Sequence, residues 1–292
     1  MKTIEQVLKE ASLRLFAVTR DRTQAWLEAE LLLANTYKQE RIWLLTHQDK
    51  PLTIAIQTRF SRFLSRRLAH EPLAYIFGEA SFCGRTFLVN PSTLIPRVET
   101  EQLITEASNI INTAKQNTLV WDVGTGSGVL AVTLKALFPH LDILASDISA
   151  RALSIAKKNA RRLLQQPIVF LQANLLDQKV KLFLKKKQME RLIVIVNLPY
   201  LPKSQKRELA IQVTKYEPLD ALFAEKKGRA LNEQLIKQLH LLKQETDISI
   251  DVLLELDPSQ AVQFQRFSQQ YFSKTKILHD LHDRARFLKL SS

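Results

Sequence analysis

Four continuous apolar runs and a fifth strand-like run, most of them separated by segments with helical spacing, constrain the fold of this chain more than any other feature. The runs cover residues 119–121, 143–145, 168–171, 192–196 and 248–254. Apolar spacing predicts helices at about 129–138, 149–164, 231–242 and 259–271, and two final strands are predicted near Lys276 and Phe287. Continuous runs rich in β-branched residues are typical of parallel strands that are buried on both faces. The pattern therefore predicts an α/β domain with a parallel sheet between two layers of helices.

The N-terminal region differs, because only helical spacing occurs in it. Apolar residues recur every three or four positions in three stripes that begin at Ile4, Ala25 and Leu52, and no glycine precedes Gly78. The lack of glycine argues against β structure with many tight turns. We predict a small helical bundle that ends at Pro72.

The segment after Pro72 changes to β-type residues. Residues 73–89 are interrupted by Cys83-Gly84-Arg85, which predicts a β-hairpin linker. Pro91 and Pro96 then bracket an extended connector, and a helix is predicted from Glu99 to about Ala114. The predicted parts are a helical bundle at 1–72, a hairpin linker at 73–90 and an α/β domain at 91–292.

A glycine-rich loop follows the first apolar run. Gly124, Gly126 and Gly128 stand between an apolar strand and an apolar helix, where glycine permits a tight turn and a close approach of a ligand to the backbone. The spacing G-x-G-x-G differs from the G-x-G-x-x-G of dinucleotide sites, and no G-K-[ST] of a P-loop follows. Asp122 precedes the loop, and a carboxylate there suits the amino group of a methionine moiety better than a pyrophosphate.

A second acid ends the next predicted strand. Asp147 lies 19 residues after Gly128, where a carboxylate accepts hydrogen bonds from both ribose hydroxyls of a nucleoside. The alternative is that Asp147 belongs to the N-cap of the following helix, although Ser149 is also available for that role. Asp122, the glycine loop and Asp147 together predict S-adenosylmethionine as the ligand, with a dinucleotide as the alternative.

The fourth apolar run ends in Asn197-Leu198-Pro199-Tyr200. In an open α/β sheet the ligand crevice lies at the carboxyl ends of the strands, so this tetrapeptide is expected beside the glycine loop. The Asn197 side-chain oxygen and the Leu198 carbonyl each accept one N–H bond and so orient an amide or amino nitrogen, while Tyr200 stacks on its plane. Pro199 biases Leu198 towards extended geometry. The alternative is a turn that merely contains Asn and Pro.

At these residues the sequence resembles the N5-glutamine methyltransferases that modify peptide chain release factors. Three further stretches carry the resemblance: Glu-Pro-Leu-Ala-Tyr-Ile-Phe-Gly at 71–78, Asn-Pro-Ser-Thr-Leu-Ile-Pro-Arg-Val-Glu-Thr-Glu at 90–101, and Tyr-Glu-Pro-Leu-Asp-Ala-Leu at 216–222 followed by Gly228. The resemblance implies a Rossmann-like class I methyltransferase domain and an N-terminal helical domain that helps to dock the release factor. The implied reaction methylates the glutamine of the Gly-Gly-Gln motif in that factor.

The resemblance and the motifs together assign roles to individual residues. Cofactor binding is assigned to Asp122, Gly124, Thr125, Gly126, Ser127, Gly128, Asp147, Leu175 and Asn197. Substrate binding is assigned to Asn197, Leu198, Pro199 and Tyr200, of which Asn197 and Tyr200 are the catalytic residues. No metal is expected.

The tetrapeptide departs from the family at one position. The family usually has Asn-Pro-Pro-Tyr, whereas Asn-Leu-Pro-Tyr is associated with ribosomal RNA adenine dimethyltransferases. An N6-adenine methyltransferase acting on RNA or DNA is therefore the alternative function, and a non-catalytic module that binds RNA or the ribosome is a third. The complete set of Asp122, Asp147, Asn197 and Tyr200 argues against the third, and the connector through Glu101 favours the glutamine reaction.

The charge of the chain bears on its partners. The formal net charge is +13 and the sequence pI is near 9.8. Most of the excess lies at 151–191, where eleven Lys/Arg residues stand against Asp177 and Glu190. This segment predicts either a contact with the ribosome or RNA, or a set of solvated helix faces in a lysine-rich protein.

Other features restrict the setting of the protein. The single cysteine, Cys83, excludes an internal disulfide framework and a cysteine-based zinc site. No apolar stretch approaches the roughly 18 residues of a membrane span, and the first residues do not resemble a secretory signal. We expect a cytoplasmic monomer without membrane contact.

His279 and His282 are expected to lie in a solvated turn, and a supporting role for Glu255 stays open.

Overall fold

The computed structural model describes residues 1–113 and 117–292, and these form two compact units. One unit contains residues 1–78 and 210–216, and the other contains residues 79–209 and 217–292. We call them the helical unit and the α/β unit. The helical unit thus extends to residue 78, beyond the expected boundary at 72, and it includes a distant segment that the sequence pattern did not indicate.

The helical unit confirms the predicted N-terminal helices. Its N-terminal part consists of α1 Ile4–Thr19, α2 Arg22–Tyr37, α3 Arg41–Leu45, α4 Ile54–Leu68 and α5 Leu73–Phe77. The side chains of Thr3, Asp21 and Thr53 cap the three long helices, because each accepts a backbone N–H of the first turn. Inside the bundle Arg67 pairs with Glu28 at 2.6 Å, and both side chains are buried.

Helix α5 corrects the prediction that the segment from residue 73 is strand-like. Pro72 occupies the N-cap and Gly78 ends the helix in the left-handed conformation with φ of 78°. Tyr75 and Ile76 are buried, and Ile76 packs in the apolar core of the helical unit. Five residues are too few to show a helical period, so their β-type composition was misleading.

The α/β unit begins with a hairpin of β1 Glu79–Phe82 and β2 Arg85–Leu88. The other strands are β3 Thr118–Val123, β4 Asp142–Asp147, β5 Val169–Gln172, β6 Arg191–Val196, β7 Leu201–Pro202, β8 Phe223–Ala224, β9 Ser249–Glu255, β10 Lys274–His279 and β11 Ala285–Ser291. The later helices are α6 Glu101–Ile111, α7 Val129–Leu137, α8 Ala150–Leu163, α9 Gln178–Lys186, α10 Ile211–Tyr216 (in the helical unit), α11 Glu225–Gly228, α12 Ala230–Gln244 and α13 Ala261–Ser268. The helix predicted at 99–114 is a 3₁₀ turn at Val98–Thr100 followed by α6, and its predicted end at Ala114 lies outside the described residues.

The predicted α/β architecture is confirmed by a seven-stranded sheet with the order β10-β11-β9-β6-β3-β4-β5. The pairs among β9, β6, β3, β4 and β5 are parallel, and β11 is antiparallel to both of its neighbours. Along β6, Leu192, Val194 and Val196 pack into one apolar core, and Ile193 and Ile195 pack into the core on the other face. Burial on both faces is the reason for the continuous apolar runs.

The topology determines where a ligand crevice lies. From β3 the chain proceeds outward to β4 and β5, and it then returns to β6 on the other side of β3. Val123 pairs with Val196 across these two central strands, so the glycine loop and Asn197 follow from adjacent strand ends. Such a reversal of strand order opens a crevice at the carboxyl edge.

Within the described part of the chain, no helix is long and apolar enough to cross a membrane.

Candidate functional site

A cavity of about 540 Å³ lies at this carboxyl edge, entirely within the α/β unit. Its volume falls in the range that small-molecule sites occupy. Its wall combines the connector, the glycine loop, the ends of β4, β5 and β6, and part of the 216–222 segment. The lining residues include Pro91, Thr93, Arg97, Thr100, Gly124, Thr125, Gly126, Ser127, Asp147, Asn174, Leu175, Asn197, Leu198, Pro199, Pro218 and Asp220.

The glycine loop has the backbone geometry that only glycine adopts without strain. Gly124, Gly126 and Gly128 have φ values of 72°, 56° and 83°. A Cβ on Gly124 would lie 2.7 Å from Cδ2 of Leu198, so the loop and the tetrapeptide pack directly against each other. The N–H groups of Gly124 and Thr125 both donate to the Ser146 carbonyl, which ties the loop to β4.

Asp122 lies behind the glycine loop and is not among the residues that line the cavity. Its Oδ2 accepts from the Thr125 hydroxyl at 2.6 Å and from the Ala131 N–H at 3.1 Å. Its Oδ1 is buried and has no hydrogen-bond partner among the described residues. Burial raises the pKa of Asp122 to about 7, although the bonds from Thr125 and Ala131 act in the opposite direction. The carboxylate holds the loop onto the start of α7.

Asp147 lines the cavity at the end of β4. Its Oδ2 accepts from the Gly126 N–H at 2.9 Å and its Oδ1 from the Ser149 N–H at 2.8 Å. Burial raises the pKa of Asp147, while these two N–H groups lower it. The N-cap of α8 is Ser149, whose hydroxyl accepts from the Ala152 N–H. The alternative role of Asp147 as helix cap is therefore taken by Ser149, and the remaining lone pairs of Asp147 are available to a ligand.

The Asn197 side chain is held by a threonine of the connector. Its Nδ2 donates to Oγ1 of Thr100 at 3.1 Å, and that hydroxyl donates to Oε2 of Glu255 at 2.8 Å. No described group donates to the Asn197 Oδ1, and Asn197 lines the cavity. The arrangement presents a hydrogen-bond acceptor to a ligand.

Tyr200 is anchored at both ends and is not among the residues that line the cavity. Its hydroxyl donates to Oε1 of Glu255 at 3.3 Å, and its carbonyl accepts from Nε2 of Gln260 at 3.0 Å. Burial, followed by the charge of Glu255, raises the pKa of the Tyr200 hydroxyl. Gly228, with φ of 87°, approaches the Tyr200 carbonyl so closely that no side chain fits between them.

The connector is locked by an ion pair that sequence reasoning missed. The Arg97 guanidinium lies 2.7 Å from Oε1 of buried Glu217, whose Oε2 accepts from the Ile95 N–H at 3.2 Å. These bonds join the two stretches at 90–101 and 216–222 that carry the family resemblance. The motif at 216–222 was the available signal, but its partner could not be identified without the fold.

The structure thus brings most of the predicted site residues to one cavity. Gly124, Thr125, Gly126, Ser127, Asp147, Leu175, Asn197, Leu198 and Pro199 line it. Asp122, Gly128 and Tyr200 lie in the layer that supports them. Leu175 has a positive φ of 52°, which is costly for a leucine and marks a constrained backbone beside the cavity.

The C-terminal turn contains a buried ion pair beside its exposed histidines. Asp280 is buried and accepts from Nε of Arg286 at 2.8 Å, and this bond lowers the pKa of Asp280 to about 2. The same guanidinium lies 4.0 Å from Oε1 of Glu255. His279 and His282 are exposed, as expected for a solvated turn. No group of three potential metal-binding side chains occurs among the described residues.

Comparisons with known proteins agree with this geometry. The family model of the PrmC N-terminal domain matches residues 6–78, and that of the methyltransferase small domain matches residues 101–212. Release factor glutamine methyltransferases are similar to this chain: that of Staphylococcus aureus is 34% identical, with 77% of this chain and 78% of the relative covered. That of Koribacter versatilis is 36% identical over 81% of each chain, and that of Nitratidesulfovibrio vulgaris is 37% identical over 75% of this chain and 72% of the relative.

Proposed function

The chain belongs to the family of release factor glutamine methyltransferases, and from that premise we propose that it methylates a glutamine side-chain amide of peptide chain release factors. The glutamine is that of the Gly-Gly-Gln motif, and the methyl donor is S-adenosylmethionine. The observation that carries the proposal is that Asn197 and Leu198, at the end of β6, line the same cavity as the glycine loop.

The cavity suits S-adenosylmethionine in shape and charge. The left-handed glycines allow a close approach to the loop backbone, and Asp147 at the end of β4 offers acceptors for ribose hydroxyls. Asp122 supports the loop from behind through its bonds with Thr125 and Ala131. When bound, the donor supplies an activated methyl group on a sulfonium, so no nucleophilic side chain is required.

The reaction depends on positioning the acceptor nitrogen. A carboxamide nitrogen is a weak nucleophile because its lone pair is delocalised. Oδ1 of Asn197 and the carbonyl of Leu198 accept its two N–H bonds and so aim the lone pair at the methyl group. The nitrogen forms a bond to the methyl carbon as the bond from that carbon to sulfur breaks, S-adenosylhomocysteine is the leaving group, and the nitrogen releases one proton to solvent. This is catalysis by orientation and by preorganised dipoles. Tyr200 contributes by fixing the backbone of the tetrapeptide, since its hydroxyl and its carbonyl are both hydrogen-bonded to buried side chains.

The substrate assignment is tested with labelled S-adenosylmethionine and three acceptors. These are a release factor with an intact Gly-Gly-Gln motif, the same factor with its glutamine changed to alanine, and ribosomal RNA. We expect label only in the intact factor. Equal labelling of both proteins would refute the glutamine assignment, and labelling of the RNA alone would establish the adenine reaction instead.

Leu198→Pro, which restores the usual family tetrapeptide, is expected to keep glutamine methylation within about tenfold of the wild type. The carbonyl of residue 198 is the proposed acceptor, and proline retains it. The described residues offer no acceptor to the Leu198 N–H, so its removal breaks no hydrogen bond. The measurement is kcat/KM with the release factor. A loss beyond a hundredfold would show that the leucine itself takes part in substrate recognition.

Asp147→Ala is expected to weaken S-adenosylhomocysteine binding by about 1.5–3 kcal/mol, because two charge-assisted hydrogen bonds are lost. Isothermal titration calorimetry measures the change. The matched control is Asp142→Ala at the other end of β4, where the carboxylate is exposed and pairs with Lys187. Unchanged affinity in Asp147→Ala would remove this residue from the cofactor site.

The basic 151–191 segment is the proposed contact surface for further partners. Five basic side chains in the 151–191 segment form ion pairs with acids of the α/β unit. Lys157, Lys158 and Arg161 are exposed on α8, and they are the cations we propose for a ribosome or RNA contact. We also propose that the protein acts as a monomer in the cytoplasm, where release factors work.

A further inference from the structure

Glu255 is a buried acid that joins two residues of the proposed reaction site. It ends β9 and is 1% exposed. One carboxylate oxygen accepts from the Thr100 hydroxyl at 2.8 Å, and the other accepts from the Tyr200 hydroxyl at 3.3 Å. Since Thr100 in turn accepts from Asn197, a single carboxylate contacts the tetrapeptide through two routes. We call Glu255, Thr100, Asn197 and Tyr200 the Glu255 relay.

The Glu255 carboxylate determines which group donates and which accepts at each hydrogen bond of the relay. An ionised carboxylate only accepts hydrogen bonds, so the one hydroxyl hydrogen of Thr100 must point to Glu255. The Thr100 oxygen is then left as an acceptor, and only the NH₂ end of the Asn197 amide satisfies it. The Asn197 oxygen must therefore face the cavity. Without the carboxylate, the threonine hydroxyl is free to turn and the amide is free to rotate by 180°.

Both carboxylate oxygens of Glu255 accept from hydroxyl groups, and a guanidinium lies nearby. Burial and, to a smaller extent, the charge of Glu99 raise the pKa of Glu255 above its ordinary value, and the Thr100 and Tyr200 hydroxyls and the Arg286 guanidinium limit that rise. Arg286 lies 4.0 Å from Oε1 and is itself held by Asp280 at 2.8 Å. A buried carboxylate needs such partners to remain charged. The C-terminal hairpin of β10 and β11 therefore supplies the countercharge for the relay.

We propose that Glu255 is a positioning residue for methyl transfer, which acts through Thr100 to turn the Asn197 amide oxygen towards the substrate and acts directly to fix the Tyr200 hydroxyl. The kinetic consequence rests on the proposed function. The orientation of the amide does not, because it follows from the hydrogen bonds of the protein alone.

The kinetic test starts with Glu255→Gln. A glutamine side chain has one acceptor oxygen and one donor NH₂ group, so it accepts from only one of the two hydroxyl groups. Towards the other hydroxyl it donates, and the direction of that hydrogen bond is reversed. We expect kcat with the release factor to fall about thirtyfold, while S-adenosylhomocysteine affinity and Tm stay close to the wild type. Asp257→Asn is the matched control, because it removes a neighbouring charge that forms no bond within the relay. It should change kcat less than threefold.

Two variants at Thr100 separate an effect on the position of Asn197 from an effect on the stability of the protein. Thr100→Val keeps the shape but removes the relay, and should lower kcat as much as Glu255→Gln. Thr100→Ser keeps the hydroxyl and should recover most of that loss. Combining Thr100→Val with Glu255→Gln should cost less than the product of the single losses, because both interrupt one chain of bonds. Wild-type kcat in Glu255→Gln, or equal losses in the serine and valine variants, would overturn the proposal.

A substrate-free measurement distinguishes failure of this inference from failure of the proposed function. In protein labelled with ¹⁵N at asparagine, the Asn197 NH₂ hydrogens should show nuclear Overhauser contacts to the Thr100 methyl group. Those contacts should weaken in Glu255→Gln and persist in Asp257→Asn. If they are absent from the wild type, the relay is refuted whatever the enzyme methylates. If they are present but no release factor is labelled, the proposed function fails and the relay stands.

Discussion

Gly228→Ala is expected to lower kcat/KM for release factor methylation by about a hundredfold or more, the largest loss we expect from a single methyl group. A Cβ at this position would lie 2.6 Å from the carbonyl carbon of Tyr200 and 3.1 Å from Nε2 of Gln260. Relief of that overlap requires the tetrapeptide backbone to move by about 1 Å, and a displacement of that size in a positioning site costs about two orders of magnitude.

Gly84→Ala is the matched control for this variant. Gly84 also has a left-handed φ, 69° against 87° for Gly228, but a Cβ there would meet no atom within 4 Å. Both variants therefore carry the backbone strain of a left-handed alanine, and only Gly228→Ala carries the steric overlap. Steady-state kinetics and thermal unfolding of both proteins make the comparison. Equal activity in the two variants would show that contact with Gly228 does not position Tyr200.

Asn197→Ala is expected to remove about 2–4 kcal/mol of transition-state stabilisation, comparable with the loss of other preorganised hydrogen-bonding groups. The variant deletes the acceptor that faces the cavity, and it also leaves the Thr100 hydroxyl without the Asn197 donor. S-adenosylhomocysteine affinity should change much less, because the glycine loop and Asp147 are untouched.

The measurement for Asn197→Ala combines kcat/KM for the release factor with calorimetry for the cofactor product. Asn112→Ala, at the end of α6, serves as the control for removal of an asparagine side chain. If cofactor affinity falls as far as kcat/KM, Asn197 acts through cofactor binding alone and its role as acceptor for the substrate amide is wrong.

The sequence alone was sufficient for the architecture of the α/β unit, and the reason is local. Strands buried on both faces are apolar at most positions, so the runs that became β3, β6 and β9 were visible without knowledge of their partners. The glycine loop was visible for a similar reason, since left-handed backbone next to a helix start requires glycine. A parallel sheet then places both motifs at one edge.

Short or ambiguous local signals were not sufficient. Helix α5 has five residues, fewer than two turns, so its sequence shows no helical period. Asp122 is another case, because a carboxylate before a glycine loop has the same sequence signature whether it faces a ligand or the following helix. Only packing showed that it bonds Thr125 and Ala131.

Only the tertiary structure shows which residues surround and support the tetrapeptide. Thr100 and Glu255 are 155 positions apart in the chain, and Arg286 approaches them from the antiparallel strand β11. Gly228 meets the Tyr200 carbonyl from a short helix whose sequence carries no signal of that contact. Backbone preferences and apolar periodicity act over a few residues, so they determine strands, turns and loops. Hydrogen bonds between buried polar groups depend on which strand ends become neighbours, and that is known only once the sheet has formed.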